Sequence, residues 1–537
     1  MPAGSLTHTG AMLRHSLRLD RLWLPVWILA CVTFAVCFVP MLPILVDNEQ
    51  MLEVLKMSME SPAVIAMCGM IYGEEYTFGI MYTQMMLVWS AVVVCVMNIM
   101  LVNRHTRKDE EEGRLELISS LPIGKASPLA SLAIIVVGTN VLVALLTAVS
   151  LAAFGLESID LAGSLVYGAS VGGIGLIFAA LTMLFAQLAS TSKGTLGLSM
   201  AALVFMYLLR APADMAKDAA TNPLGFISPF GLGERTYPYY ENLWWPIVLM
   251  VFIAAVLMLV AFLLNVRRNL GVGLLPAGRG KAHGGRLLIG HISLSIRLVR
   301  GTIIIWALVF LAFGLSYGVV FNDLQGFYEE SQFVASFLGV DDLTQEIFSA
   351  TINSLTALMT IAAVVPVVMI INHLYGEERK GRLELVFSTA TSKVTTLLGY
   401  TIIVAVAALI FQLLTALGMW MGSYYVMEEP IALEVFVKTA INYLPAVLAF
   451  AGVAVLLIGL APKAIHAIWF YLAYVFYVVY VGGMLNIAKI FVKLTPLGLL
   501  AKYPTDAFDP LPFVLLLLVF SALSAGGIIA YRARDIK

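Results

Sequence analysis

The sequence predicts an all-α polytopic membrane protein with twelve transmembrane helices in two homologous six-helix halves. Hydrophobic residues make up 61% of the 537 residues and charged residues only 12%, whereas a typical soluble domain carries about 25% charge. Uncharged runs such as 243–266 and 303–322 reach the ~20 residues that cross a hydrocarbon core. The charged sequence Gly-Arg-Leu-Glu-Leu occurs twice, at 113–117 and 381–385, about half a chain apart.

The first half, 1–266, begins with a polar segment in which Arg14, Arg18 and Arg21 share one helical face. This pattern is typical of an amphipathic helix on the membrane surface; a generic positive anchor is the alternative and predicts the same topology. A polar excursion at 47–79 and a proline-broken one at 211–241 interrupt the predicted helices. Those helices cover 22–46, 80–102, 127–154, 161–189, 194–210 and 243–265.

A Gly-rich basic linker at 267–286 separates the halves, and the pattern restarts in the second half, 287–537. Arg297 and Arg300 echo Arg18 and Arg21, and the sequence Thr-Pro-Leu-Gly at 495–498 echoes Ser-Pro-Phe-Gly at 228–231. These offsets near half the chain indicate an internal duplication. The predicted helices here cover 301–321, 351–372, 395–421, 440–460, 464–485 and 511–531.

Most of the 32 Lys and Arg residues fall on one side when the predicted loops are counted alternately. Because positive charge is retained on the cytoplasmic side, both termini, the linker and both repeated loops are predicted to be cytoplasmic. Six helices return the chain to the side it left, so the halves are expected to be parallel repeats. The localisation predicted is a bacterial-type cell membrane, crossed many times.

The sequence predicts no catalytic residue and no metal site. Two matches to Gly-x-Ser-x-Gly, at 168–172 and 314–318, lie inside apolar helices rather than at a strand-to-helix turn, and the first reads as a small-residue packing ridge. The seven histidines are scattered. The nearest match to an ATP-binding loop, 278–282, lacks both the spacing and the hydroxyl residue. There is no basic domain that would favour nucleic acid.

Asp, Glu, Lys and Arg are absent from the interiors of the twelve predicted helices. Proton-driven carriers place ionisable groups at membrane depth, so this absence argues against proton coupling and, more weakly, against sodium coupling. Energy for transport is therefore expected to enter through the cytoplasmic loops.

The repeated loops are the candidate coupling sites. Leu115 and Ile118 share one face of a short predicted helix, as do Leu383, Val386 and Phe387 in the second copy. An amphipathic helix flanked by carboxylates suits a groove with a basic rim on a partner. The alternative is a solvated loop that sets topology, to which acidic residues contribute little. The candidate residues are Glu110, Glu111, Glu112, Gly113, Arg114, Glu116, Glu377, Glu378, Gly381, Arg382 and Glu384.

At these residues the chain resembles the ABC-2 type permeases of ATP-binding-cassette exporters, and its duplicated form resembles exporters of polyketide antibiotics. The resemblance implies a type V exporter-like fold, with elbow helices before helices 1 and 7. It implies that 112–121 and 380–390 are coupling helices, each docking on one of two separately encoded ATP-binding subunits. ATP and magnesium would bind those subunits, and no cofactor would bind this chain. Pro122 has Thr391 as its counterpart, so the two docking contacts are expected to be unequal.

By the same resemblance, helices 2, 5, 8 and 11 would line the transport path. Methionine and aromatic walls suit a large apolar substrate, although ordinary packing is the alternative for each residue. The candidates are Gln84, Met85, Asn98, Met200, Met206, Asn353, Thr356 and Met359.

The function predicted is that of the membrane subunit of an ATP-driven exporter of hydrophobic compounds such as antibiotics, drugs or lipid-like molecules, held in membrane lipid. One alternative is a secondary carrier of the major-facilitator type, which also has twelve helices and charged loops after helices 2 and 8. The other is a sensor or scaffold subunit that transports nothing.

Overall fold

Every regular element in the described part of the computed structural model is helical. The described residues are 6–45, 55–56, 59–60, 62–73, 75–156, 158–216, 218–275, 290–338, 343–389, 391–427, 430–481 and 489–535. The chain divides into two compact units, Met1–Gly280 and Lys281–Lys537. Several predictions extend outside the described residues: the end of helix 1 beyond 45, much of the 47–79 excursion, residue 217 of the second excursion, the linker beyond 275, helix 11 beyond 481, and Ala390 at the end of the second coupling segment.

The first unit contains α1 (Thr9–Leu19), α2 (Trp23–Val36), α3 (Leu42–Leu45), α4 (Pro62–Cys68), α5 (Phe78–Asn103), α6 (Arg114–Ser119), α7 (Ser127–Ala152), α8 (Leu161–Leu188), α9 (Ser192–Asp214), α10 (Pro223–Ile227), α11 (Pro229–Glu234) and α12 (Trp245–Arg267). A 3-10 turn, Val39–Met41, precedes α3. The end of α5 continues through a π-helical turn, Arg104–Lys108, and a short helical turn, Asp109–Glu111.

The second unit contains α13 (His291–Leu338), α14 (Leu343–Arg379), α15 (Arg382–Phe387), α16 (Lys393–Val426), α17 (Leu433–Leu460), α18 (Ala467–Phe476), α19 (Lys489–Lys493), α20 (Pro496–Leu499) and α21 (Pro510–Ala533). A 3-10 turn, Pro462–His466, leads into α18, and a π-helical turn, Tyr477–Val481, follows it.

Twelve helical segments among the described residues are long and apolar enough to cross a membrane. Their number agrees with the prediction, and the chain is a multi-pass helical membrane protein. The second amphipathic segment is not a separate helix as expected, because α13 runs without a break from His291 to Leu338 and includes Arg297 and Arg300.

The predicted end of the fifth helix is wrong, and the error matters for function. The sequence ends the fifth helix at 210 because Pro212 follows, yet α9 continues to Asp214. Arg210 and Asp214 lie four residues apart on one face and form a buried ion pair, with 3.4 Å between Arg210 Nε and Asp214 Oδ2. The prediction that no helix interior carries charge is therefore wrong for α9. The first turns of α17 also carry an exposed pair, Glu434 and Lys438.

Small residues set the closest helix crossings. A Cβ atom at Gly168 would overlap the carbonyl oxygen of Ala144, and one at Gly172 would lie 2.9 Å from the carbonyl oxygen of Asn140, so α8 can approach α7 only with glycine there. The predicted packing ridge is confirmed. Ser170 lies inside α8 and donates to the Val166 carbonyl oxygen, which is not the geometry of an activated nucleophile.

Candidate functional site

The two repeated loops share one backbone design. A long helix ends, a glycine takes a left-handed conformation, and a six-residue helix follows. Gly113 has φ 72° and precedes α6; Gly381 has φ 66° and precedes α15. Nothing lies within 4 Å of a Cβ placed at either position, so the positive φ, and not crowding, favours glycine.

Glu110 is buried and binds inside the first unit. Its carboxylate accepts hydrogen bonds from Arg268 at 3.0 Å and 3.1 Å and from the backbone N–H of Gly271 at 2.6 Å. Arg107 lies 3.0 Å from the same carboxylate. Because Arg268 directly follows α12, Glu110 fixes the loop to the end of that helix. The sequence predicts Glu110 as a contact for a partner; the structure makes it an internal brace.

The neighbouring residues divide between internal and exposed roles. Glu111 Oε1 accepts a hydrogen bond of 2.8 Å from the backbone N–H of Ser192, one of the donors left unpaired at the start of α9. Arg114 pairs with Asp109 at 3.0 Å and with Glu112 at 2.6 Å. Arg114 and Glu112 remain partly accessible, as does Glu116, so these three can face a partner.

The second loop repeats this arrangement at the same chain spacing. Glu378, at the position corresponding to Glu110, accepts from Arg534 at 2.6 Å and 2.5 Å, and Arg534 directly follows α21. Glu377 pairs with Arg382 at 3.1 Å, as Asp109 does with Arg114. Glu384 is exposed. Each loop is therefore braced by a buried or half-buried ion pair to the end of the last long helix of its own unit.

The outward face of each short helix carries a leucine at the matching position. Leu117 is 74% exposed and Leu385 is 73% exposed. The sequence instead assigns the docking face to Leu115 and Ile118 and to their counterparts. The structure leaves Leu115 and Ile118 half-buried, and docking through either face stays a prediction. The counterpart Leu383 is buried. Helical spacing shows which residues share a face, but it does not show which face meets the protein.

Leu115 and Ile118 point inward over a cavity of about 200 Å³ between α6 and the ends of the long helices. Pro128 and Leu129 line its apolar side, and Arg268 lines its polar side. The inward face of α6 therefore lies against the rest of the unit, and Leu117 is left exposed to another molecule.

Two predicted path residues of the first unit, Gln84 and Asn98, are polar groups paired inside it. Gln84 donates to the carbonyl oxygens of Met59 at 3.1 Å and Gly69 at 3.2 Å and accepts from the Tyr76 hydroxyl at 2.7 Å. The amides of Asn98 and Asn140 exchange two hydrogen bonds, of 3.0 Å and 2.9 Å, between α5 and α7.

The remaining predicted path residues pack inside their own units. Met85, Met200 and Met206 are half-buried beside hydrophobic clusters of the first unit. In the second unit, Asn353 accepts from the Tyr443 hydroxyl at 2.9 Å, and Thr356 and Met359 are buried. Lining of a transport path by these residues stays a prediction.

Sequence reasoning missed a buried group of four charges at the other end of the first unit. Arg210 lies 2.5 Å from Glu234, and Arg235 lies 3.6 Å from Asp214. We call Arg210, Asp214, Glu234 and Arg235 the charge quartet. All four side chains are at most 5% exposed. The i,i+4 spacing of Arg210 and Asp214 beside a proline was the available signal, and the assumed helix end hid it.

Among the described residues, no three His, Cys, Asp or Glu side chains converge as a metal site would require. The described architecture, with twelve apolar spans and charges gathered at helix ends, defines a polytopic helical membrane protein.

A family model described as the multidrug efflux system permease Rv1217c, C-terminal domain, matches residues 12–264 and 288–532. The chain belongs to this family. It is 28% identical to the multidrug efflux system permease protein Rv1217c of Mycobacterium tuberculosis (strain ATCC 25618 / H37Rv) over 545 residues, which cover 99% of this chain and 96% of the relative. Membership of this family indicates a transport permease.

Proposed function

We propose that this chain is the membrane subunit of an ATP-binding-cassette exporter of the ABC-2 type, in which α6 and α15 each dock on one separate ATP-binding subunit. The observation that carries the proposal is the pair of exposed leucines, Leu117 and Leu385, on short helices of equal length and equal backbone design. A lone exposed leucine needs no explanation. Two at corresponding positions, each flanked by an exposed glutamate, favour a matched pair of partners.

The bracing of the loops supports force transmission. A push on α6 would reach α12 through Glu110 and Arg268, and α9 through the hydrogen bond from Ser192 to Glu111. In the second unit the push would reach α21 through Glu378 and Arg534. Movement caused by ATP binding and hydrolysis on the partners, which would hold ATP and magnesium, would thus pass into long helices without a catalytic group in this chain.

The proposed topology places both loops and both termini in the cytoplasm, with two homologous six-helix halves. The excess of Lys and Arg on that side supports the orientation. The duplication is supported by ion pairs that recur at one chain spacing, Asp109 with Arg114 and Glu377 with Arg382. The linker between the halves would lie on the same side.

The proposed cargo is a hydrophobic compound such as a drug, an antibiotic or a lipid-like molecule, moved out of the cell. The name of the Mycobacterium tuberculosis relative supports efflux of several drugs. The resemblance to exporters of polyketide antibiotics suggests large apolar molecules.

The test is drug-stimulated ATP hydrolysis by the chain purified together with its ATP-binding partner. Leu117→Asp and Leu385→Asp, singly and together, place a charge on the proposed docking faces, and stimulation is expected to fall at least tenfold in the double variant because an unpaired charge would be buried in the groove. Leu275→Asp is the matched control, since Leu275 is also exposed but lies outside both short helices. Full stimulation in the double variant would rule out docking through these faces.

One observation keeps a secondary carrier as the second candidate. The charge quartet includes Asp214, at the end of a helix long enough to span the membrane, and Glu234, which belongs to a short helix beside it. Buried ionisable groups are typical of ion-coupled transport. Vesicles that contain the chain alone, without ATP, and that carry a proton gradient distinguish the two. Drug accumulation driven by the gradient would favour the carrier, and its absence together with ATP-driven uptake by the complex would favour the exporter.

A further inference from the structure

A second candidate site lies at the end of the first unit opposite the repeated loop. Helix α9 starts beside Glu111 and ends at Asp214, so its 23 residues separate the two ends by roughly 35 Å at 1.5 Å per residue. Here three segments, 70–73, 218–220 and 237–241, surround a cavity of about 550 Å³. In the proposed topology this end faces the outside of the cell.

Three tyrosines form the aromatic lining of this cavity. The ring centroids of Tyr72 and Tyr237 lie 5.0 Å apart in an edge-to-face arrangement, and those of Tyr72 and Tyr240 lie 6.3 Å apart. The Tyr72 hydroxyl donates to the Pro238 carbonyl oxygen at 2.9 Å, which fixes its ring. Burial raises the pKa of Tyr72 and of Tyr237 above the usual tyrosine value, so these two rings stay uncharged at neutral pH. Tyr240 is 48% exposed and can be reached from solvent.

Two carboxylates lie in the same lining. Asp218 and Glu241 are both exposed and both border the cavity. The face of a phenol ring attracts a cation, most strongly when the cation has lost part of its water, and a carboxylate adds attraction for positive charge. Rings and carboxylates around one cavity therefore favour a cationic molecule with apolar substituents, and they disfavour an anion of the same shape.

The charge quartet holds the three segments in place. Arg210 donates to the Ala66 carbonyl oxygen at 2.6 Å, just before the first segment. Arg235 donates to the carbonyl oxygen of Ala219 in the second segment. Arg235 and Glu234 immediately precede the third segment, so one buried ionic group contacts or adjoins every wall of the cavity. These contacts give the four buried charges a structural role that is separate from the repeated loops.

The backbone of the third segment is held in an unusual conformation. Tyr237, Tyr239 and Asn242 have φ of 45°, 61° and 53°, values that residues other than glycine seldom adopt. The Asn242 side chain accepts from the Tyr239 backbone N–H at 3.0 Å. A loop fixed in this way presents its rings without further ordering, which lowers the entropy lost when a ligand binds.

We propose that this tyrosine cavity binds organic cations, in particular quaternary ammonium or phosphonium ions with bulky apolar groups. The site goes beyond the proposed function: it requires no ATP-binding subunit, and its affinity is a property of the purified chain.

The test is equilibrium binding of radiolabelled tetraphenylphosphonium to the purified full-length chain in detergent. Tyr240→Ala is expected to weaken binding about fivefold, because one cation–ring contact is lost, whereas Tyr240→Phe keeps the ring and should keep the affinity. Removing both carboxylates, in Asp218→Asn combined with Glu241→Gln, is expected to weaken binding about tenfold. Glu434→Gln, which removes an exposed carboxylate of the second unit, is the matched control and should leave affinity unchanged.

Tetraphenylborate, which has the same shape and the opposite charge, separates this site from general partition into apolar surface. The double carboxylate variant should not weaken tetraphenylborate binding. Equal tetraphenylphosphonium affinity in the wild type, in Tyr240→Ala and in the double carboxylate variant would overturn the proposal. An equal loss in Tyr240→Phe and Tyr240→Ala would overturn it as well, since the ring face would then not be the binding group. None of these outcomes depends on transport or on ATP hydrolysis.

Discussion

The two ends of the first unit hold charge in different ways, and only one of the two arrangements recurs in the second unit. At the loop end, Glu110 binds Arg268 as Glu378 binds Arg534. At the opposite end, the charge quartet has no such counterpart among the described residues of the second unit. The spacing that relates 228–231 to 495–498 puts Ala501 and Lys502 where Glu234 and Arg235 stand, and Val478 lies half a chain after Arg210.

This difference distinguishes an arrangement common to both units, the loop ion pair, from one specific to the first unit, the charge quartet. A loop brace would be required wherever a partner pushes, so the proposed pair of ATP-binding partners would explain two similar braces. A framework for a cavity is required only where the cavity exists, and the three tyrosines that line it lie in two segments of the first unit. The repeated ion pairs therefore point to a shared mechanical role, and the unrepeated quartet points to a specialised one.

The largest effect is expected from breaking the quartet. Arg210→Met leaves Glu234 and Asp214 buried with one cation fewer, and removal of one partner from a buried ionic group costs about 3–5 kcal/mol. Arg210 also loses its hydrogen bond to the Ala66 carbonyl oxygen. A lower midpoint of thermal unfolding of the purified chain, followed by circular dichroism, measures this loss.

The double variant Arg210→Met with Glu234→Met is the matched control for charge burial. It removes one cation and one anion and leaves Asp214 paired with Arg235, and apolar replacement of a buried pair is often close to neutral. Recovery of at least half of the lost stability is expected. A double variant less stable than Arg210→Met would mean that contacts other than charge pairing dominate at this end.

The next largest effect distinguishes the two loop braces. Glu110→Gln replaces the carboxylate that contacts Arg107, Arg268 and the Gly271 N–H. The free energy of unfolding is expected to fall by about 2–3 kcal/mol, because these bonds are charge-assisted and buried. Glu378→Gln should cost only about 1 kcal/mol, since Glu378 and Arg534 are 12% and 19% exposed and water replaces part of the loss. Urea unfolding of the two variants under identical conditions gives the comparison.

Equal losses of stability in Glu110→Gln and Glu378→Gln would show that solvent exposure does not determine the strength of the two braces. Substrate-stimulated ATP hydrolysis by complexes of these two variants with the proposed ATP-binding partner is a second measurement. Loss of stimulation with little loss of stability in Glu378→Gln would support the proposed path of force to α21.

Local patterns predict most of this fold, and long-range pairing accounts for what they miss. Apolar runs give twelve spans, and the repeated Gly-Arg-Leu-Glu-Leu sequence locates both loops. The sequence does not show that Glu110 binds Arg268, because 158 residues separate them and no periodicity relates them. It also does not show that Leu117 faces outward, because spacing gives a shared face without its direction.

The quartet was missed for a different physical reason. Proline usually breaks a helix interior, and Pro212 sits only two residues before the end of α9, where few backbone hydrogen bonds depend on it. The ion pair from Arg210 to Asp214 then outweighs the local preference to stop. A tertiary interaction of this kind overrides local propensity, so the i,i+4 spacing of Arg210 and Asp214 was a better guide here than the proline.

A smaller effect is expected at a pair that the first unit has and the second lacks. Asp20 lies after α1 and pairs with Arg104 at 3.0 Å and with His105, whereas Val299 stands at the corresponding position of the second unit. Asp20→Val should cost about 1–2 kcal/mol, because Arg104 is 29% exposed and can turn to water. Faster hydrogen exchange in Arg104–Lys108 would locate the change at the end of α5, and unaltered exchange there would mean that α1 is held by other contacts.

The smallest effect on stability is expected at the residues with the largest proposed role in coupling. Leu117→Ala and Leu385→Ala should each change the free energy of unfolding by less than about 0.5 kcal/mol, because both side chains are more than two-thirds exposed. Leu383→Ala on the same short helix should cost about 2 kcal/mol, since Leu383 is buried, and so shows that the assay detects a loss at α15. If Leu117 and Leu385 are docking residues, each variant chain should stay folded and stable but should no longer respond to the proposed ATP-binding partner. If Leu385→Ala instead destabilised the chain as much as Leu383→Ala, its face would belong to the core of the second unit, and the equality between the two loops would not extend to a partner.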